Sequence, residues 1–158
     1  MLRALHAHGV RFVVVGGFAA WMQDAPVVTT DLDIVYDTSP ENLDALTRAL
    51  RALAARYRHQ LGRVIEPDPA KLGSTEGGGH HLFETRFGDL DALRSSSRFG
   101  YSELVTTAVT YEIEGVPCLI ASLADVIEMK RLANRPKDVA ALPALMAVLE
   151  DASSEDSE

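Results

Sequence analysis

At 158 residues the chain is long enough for one domain with a real hydrophobic core and too short for two. Its apolar fraction of 47% and charged fraction of 24% are ordinary for a soluble globular protein, and no apolar run nears the roughly 18 residues of a membrane span. The formal net charge of −8 argues against non-specific duplex binding, which relies on a basic surface, although a local basic face stays open. Cys118 is the single cysteine, which rules out an intrachain disulfide and a disulfide-stapled scaffold. Met1–His6 shows no apolar stretch before a small-residue cleavage site, so no signal peptide is expected and a cytoplasmic location follows by default.

Along the chain, Leu2–His8 predicts a helix stopped by Gly9, and Arg11–Val15, β-branched and aromatic, a buried strand. Gly16-Gly17 breaks that strand, and Phe18–Gln23 continues as a short helix before a turn at Asp24-Ala25-Pro26. Leu32–Tyr36 is a second strand. Ser39 and Pro40 open a third helix to about Arg58, with Leu43, Leu46, Leu50 and Leu53 on one face. Residues 62–79 predict a loop with a brief strand near Val64. His80–Arg86 and Asp89–Leu93 follow as strands joined at Gly88, and Thr106–Glu114 and Val116–Ile120 as a hairpin around Gly115. Ser122 caps a helix, and Pro136 opens a last one ending near Glu150. The expected organisation is one domain over residues 1–149, followed by an acidic, disordered tail at 150–158. The fold class is α/β or α+β, with a mixed sheet flanked by helices.

Chemistry concentrates at Asp31-Leu32-Asp33. Strand alternation turns the two carboxylates to one face, where they repel each other unless a cation intervenes. Hard divalent ions such as Mg²⁺ or Mn²⁺ take carboxylate and phosphate oxygens. Asp91, in the similar run Gly88-Asp89-Leu90-Asp91, is the candidate third ligand. A glycine pair between strand and helix lets backbone N–H groups approach an anion, which makes Gly16 and Gly17 candidate phosphate contacts. The plainer alternative is a solvated acidic strand beside a tight turn.

Phe12-Val13-Val14-Val15-Gly16-Gly17, followed by Thr29-Thr30-Asp31-Leu32-Asp33-Ile34, resembles the signature of the nucleotidyltransferase (polymerase-beta-like) superfamily. Within it the chain is most similar to small AbiEii-type bacterial proteins over residues 5 to 150. Gly88-Asp89-Leu90-Asp91, Ser122–Lys130 and Arg135-Pro136-Lys137-Asp138 carry the rest of the likeness. The resemblance implies a metal-dependent transfer of a nucleotidyl group from a nucleoside triphosphate to an acceptor hydroxyl. Asp31, Asp33 and Asp91 would be the catalytic metal ligands, and Gly16, Gly17, Thr30, Lys130, Lys137 and Asp138 the nucleotide contacts. The chain departs from the pattern at Phe18, where the family commonly has a phosphate-binding Ser or Thr. Thr29 and Thr30 are the hydroxyls nearest in sequence that could substitute.

Three acceptors fit: an RNA such as tRNA, as for toxin-type relatives; a small molecule such as an aminoglycoside or lincosamide antibiotic; or a protein side chain. The rival class is a catalytically degenerate nucleotide-binding or interaction module of a toxin–antitoxin pair, with an antitoxin as partner. On residues alone, Lys130 is equally an exposed helix charge paired with Glu128 or Asp125. Gly77-Gly78-Gly79-His80-His81 predicts a mobile loop entering a strand rather than a metal site, because adjacent strand histidines face opposite ways. Arg48, Arg51, Arg56, Arg58 and Arg63 form either a solvated helix face or a patch for RNA. Trp21 is expected in core or edge packing, and Cys118 as a small buried apolar group.

Overall fold

The structure, a computed structural model, describes residues 1–155. In chain order its helices are α1 (Leu2–Ala7), α2 (Gly16–Trp21), α3 (Pro40–Ala52), α4 (Pro69–Gly73), α5 (Tyr101–Leu104), α6 (Leu123–Ala133) and α7 (Pro136–Glu155). Its strands are β1 (Phe12–Val15), β2 (Leu32–Tyr36), β3 (Arg56–Tyr57), β4 (His80–Thr85), β5 (Gly88–Leu93), β6 (Ser95–Ser96), β7 (Phe99–Gly100), β8 (Val109–Ile113) and β9 (Val116–Ile120). Seven strands form one sheet in the order β3-β4-β5-β2-β1-β9-β8, and β6 and β7 make a separate two-stranded ribbon. The sheet is mixed, as expected: β2 runs parallel to β5 and β1 to β9, whereas the other neighbours are antiparallel.

The four residues of β1 are all buried, and Ile34, Val35, Leu90 and Ala92 beside them are sealed from solvent. On one face Tyr36, Phe83 and His81 lie under α3 and α4. There Tyr36 donates to the Leu72 carbonyl (2.9 Å), and His81 Nδ1 meets the Tyr57 hydroxyl (2.9 Å). Burial pushes His81 down to about 4, so it is a neutral core histidine at physiological pH. Leu46, Leu50 and Leu53 are buried from the α3 side, which is the apolar stripe that their spacing predicts.

Three helices stop in the same way. After α1 the residue in left-handed geometry is Gly9 (φ +70°), after α2 it is Asp24 (+63°), and after α3 it is Ala54 (+54°). Each end carries paired bonds back into the helix; at α3 they are Ala54 N–H to Arg51 O (3.0 Å) and Ala55 N–H to Leu50 O (2.9 Å). This corrects the expected extent of the third helix. It ends at Ala52, and the chain turns into β3, where Arg56 pairs with Glu84 and Tyr57 with Phe83.

The expected strand near Val64 is absent among the described residues; Tyr57 N–H instead bonds Ile65 O across the loop (3.0 Å). That segment contains α4, opened by Asp68, whose carboxylate accepts the Ala70 N–H (2.9 Å). The last helix passes the expected stop near Glu150 and runs to Glu155; the rest of the expected tail, residues 156–158, lies outside the described residues. Trp21 packs on Phe18 (centroids 5.7 Å apart) but is 55% exposed, so it is not a core residue, whereas Cys118 is buried as expected. Among the described residues no helix is long and apolar enough to cross a membrane.

Candidate active site

The register of four strands builds the floor of a cleft. Val15 on β1 sits opposite Asp33 on β2, Asp33 opposite Asp91 on β5, and Asp91 opposite Leu82 on β4. Residues opposite one another share a face, so this single row sets two carboxylates side by side between two apolar flanks. All four line a cleft of about 650 Å³. Its far wall is α6 and the start of α7, with Val126, Met129, Lys130 and Asp138. Ser95, Ser96 and Ser97 of the β6–β7 ribbon close one end.

Burial pushes the Asp33 carboxyl up to about 7, helped by the charges of Asp91 and Asp31 and by a hydrogen bond shared with Asp91; Lys137 opposes the shift. Burial also raises Asp91, against the pull of Arg58. Side by side and partly desolvated, the two acids disfavour carrying two negative charges at once, and the raised carboxyl of Asp33 is the one that keeps its proton longest. Such a pair is a donor set for a hard divalent cation, which relieves the same repulsion.

Asp31 corrects the expectation of an acid on the strand. It precedes β2 by one residue, its Oδ1 accepts the Thr30 hydroxyl (3.0 Å), and its backbone carbonyl accepts the Thr29 hydroxyl (3.0 Å). Its charge still reaches both Asp33 and Asp91. With Asp31 held by Thr30 and one Asp91 oxygen held by Arg58, no three His, Cys, Asp or Glu side chains among the described residues enclose a metal-sized site. Asp33 and Asp91 are therefore the fitted pair, with Asp31 beside them. Thr30 is engaged with Asp31 and does not line the cleft.

Both glycines of the pair have packing reasons. Gly16 has φ +69°, and a side chain there would collide with the Asp33 carboxylate. A Cβ on Gly17 would come within 3.0 Å of Thr29 Cβ. Phe18 lies elsewhere, in a groove with Thr29, Thr30, Asp31 and Ile113. The place where a family hydroxyl was expected is thus filled by an aromatic that packs at a tilt against Trp21 and does not line the cleft.

Lys130 pairs with neither Glu128 nor Asp125. Its Nζ bonds Asp138 (3.2 Å), which also takes Arg135 (2.6 Å), and Asp138 is only 1% exposed. The two cations hold its carboxyl below the usual range despite burial. Asp138 thus anchors Lys130, at 18% exposed, on the cleft wall. Lys137 is exposed at the start of α7, near enough to act on Asp33.

Arg58 is the site residue that reading along the sequence assigned to the wrong element. Its guanidinium bonds Asp89 (2.6 Å) and Asp91 at once and is 15% exposed. The alternation Arg56-Tyr57-Arg58, with the outer two on one side, is the strand signal that could have found it.

Solved structures of the same fold include the antibiotic-resistance factor ANT(2'')-Ia in solution (14% identity, TM-score 0.56, 98% of this chain and 81% of that one). A crystal structure of ANT(2'')-Ia in complex with adenylyl-2''-tobramycin gives 17% identity and TM-score 0.57, over 98% and 88% of the two chains. The lincosamide antibiotic adenylyltransferase LnuA, lincomycin-bound, gives 10% identity and TM-score 0.59, over 93% and 92%. A search of curated protein sequences finds no match. The sequence model described as "Nucleotidyl transferase AbiEii toxin, Type IV TA system" matches residues 1–137, and the chain belongs to that family.

Proposed function

We propose that the chain transfers a nucleoside monophosphate from a nucleoside triphosphate to a hydroxyl of an RNA such as tRNA, with Mg²⁺ or Mn²⁺ held by Asp33 and Asp91 and approached by Asp31. The observation that carries this reading is the in-register pair Asp33 and Asp91 in a cleft walled by Lys130. When bound, the divalent ion supplies charge neutralisation for the phosphates and acidifies the acceptor hydroxyl.

The chain's own residues do the rest. Lys130, held in place by Asp138, meets phosphate charge from the wall, and Lys137 adds to it. Gly16, without a side chain, lets the Asp33 carboxylate pack against the backbone at the start of α2, and Gly17 lets Thr29 do the same beside it. Asp91 takes the proton of the acceptor hydroxyl. The acceptor oxygen then bonds the α-phosphorus, the bond to the bridging oxygen breaks, and pyrophosphate leaves with that electron pair.

An RNA acceptor is supported by the toxin family and by a groove lined by Arg56, Arg58 and Arg63 that reaches Asp89, two residues from Asp91. The exposed arginines of that groove, Arg56 and Arg63, suit a phosphodiester backbone. A small hydroxylated acceptor is the second reading; the acidic floor and the cleft's 650 Å³ suit a cationic drug of the aminoglycoside or lincosamide kind. A cognate antitoxin and a cytoplasmic setting belong to the same proposal.

The test is incubation with each α-labelled triphosphate, Mg²⁺ or Mn²⁺, and either total RNA or a panel of hydroxylated antibiotics. Label on RNA, lost in Asp33→Asn and Asp91→Asn, is the expected result. Label on a drug alone selects the second acceptor. Metal-dependent triphosphate binding without transfer to any acceptor marks a degenerate binding module, and absence of such binding overturns the nucleotide reading.

A further inference from the structure

The cation that occupies the acids of the cleft in this structure is a side chain. Arg58 leaves the end of β3 and reaches across the sheet to Asp89 and Asp91, which lie two residues apart on one face of β5. The arrangement carries a defect. The Arg58 Nε is buried and has no hydrogen-bond partner. A guanidinium has five N–H donors, and one left unbonded inside a protein is costly. The group is therefore held by the two carboxylates and not by a complete bonding shell.

Its two partners differ. Asp91 is shared with Asp33 at the cleft floor, whereas Asp89 faces the arginine-lined groove and is 38% exposed. The backbone before and after Arg58 is also asymmetric. Its N–H is tied to Leu82 O (2.9 Å), but the next residues enter an exposed loop with left-handed turns at His59, Leu61 and Gly62.

We propose that Arg58 is a resident countercharge of Asp91 that must be exchanged when a divalent ion enters, with Asp89 retaining the displaced guanidinium at the edge of the site. Arg58 is thus a positioning residue. In the metal-free protein it keeps the Asp91 carboxylate aimed and neutralised, and it sets a threshold concentration for loading. The inference rests on the metal reading given above and goes beyond it by naming the group that the metal must displace.

The experiment measures Mn²⁺ affinity of the full chain by calorimetry, without nucleotide, at about pH 8.5, where proton competition is small. Arg58→Gln keeps the length and polarity but removes the charge, and Arg58→Lys keeps the charge without the fork. Arg56→Gln is the control, because it removes the same charge two residues away, where Arg56 pairs with Glu84 (3.1 Å) outside the acid pair.

Arg58→Gln is expected to bind Mn²⁺ about tenfold or more tightly than the native chain, since a close like-charged competitor is gone. Arg58→Lys should fall between the two, and Arg56→Gln should stay within about twofold of native. Unchanged or weaker binding in Arg58→Gln, or an equal gain in Arg56→Gln, overturns the exchange while leaving an Asp33-dependent metal site standing. If no variant binds Mn²⁺ in a way that Asp33→Asn abolishes, both the exchange and the metal reading fall. Should Arg58→Gln not fold by circular dichroism, Arg58→Lys decides: affinity equal to native overturns the proposal.

Discussion

Gly16 and Asp33 stand so close that a methyl group on the glycine would occupy the space of the carboxylate. The contact joins the glycine turn to the acid pair, and it explains why those two features of the sequence occur together. Gly16→Ala meets two penalties, the left-handed backbone at φ +69° and the collision with Asp33. The variant is expected to lose about 1–3 kcal/mol in urea unfolding. It should also lose metal binding, because Asp33 must move aside. Gly17→Ala meets only Thr29 and should cost less.

Asp33 gives the metal-free protein a pH dependence of definite sign. Its carboxyl is raised from 3.8 to about 7, so between those values the folded chain holds a proton that the unfolded chain has released. Stability from this group is therefore largest below about pH 4 and declines as pH rises toward 7. Thermal melts of the metal-free protein should show that decline, reduced in Asp33→Asn. A divalent ion should raise the melting temperature of the native chain most above pH 7 and leave the variant unchanged.

Asp138 and Lys130 separate stability from binding. Asp138 is buried and receives two cations, so Asp138→Ala should cost about 2–4 kcal/mol by denaturant titration. Its carboxyl is depressed, which means its contribution is present above pH 4 and is lost as pH falls through its folded value. Lys130→Met leaves Arg135 on Asp138 and should fold, while weakening triphosphate binding by about tenfold in calorimetry.

Phe18→Ser tests the departure from the family pattern. The phenyl group packs at a tilt against a half-exposed Trp21, in a groove apart from the Asp33 cleft. Its removal should cost roughly 1 kcal/mol and leave triphosphate affinity within about threefold of native. A large gain in affinity would show that the serine reaches the phosphates after all.

Much of this molecule is legible in its sequence. Period-two patterning located β2, β4, β5 and the β8–β9 hairpin, and paired Asp-Leu-Asp runs singled out Asp33 and Asp91. What stayed hidden has physical causes. The end of α3 was missed because Ala54 takes the left-handed cap usually given to glycine, and that error placed Arg58 on a helix. The Lys130–Asp138 bond joins α6 to α7 across a turn, and the folded packing of the two helices, not their spacing alone, creates it. Asp31 was expected to share a face with Asp33 by alternation, which is blind to the Thr30 and Thr29 bonds that hold it just outside β2.

The spacing of Asp33 and Asp91 is dictated by neighbouring strands in the middle of the sheet, with further strands on both sides. Loop insertions do not alter it. The surfaces that would meet an acceptor under the proposed function, the serine ribbon at Ser95–Ser97 and the arginine loop after β3, lie outside that central strand pair. Such an architecture would separate the proposed reacting pair from whatever it serves. A lineage can exchange one acceptor for another by rewriting the periphery, while the two acids keep the separation that the strand register imposes.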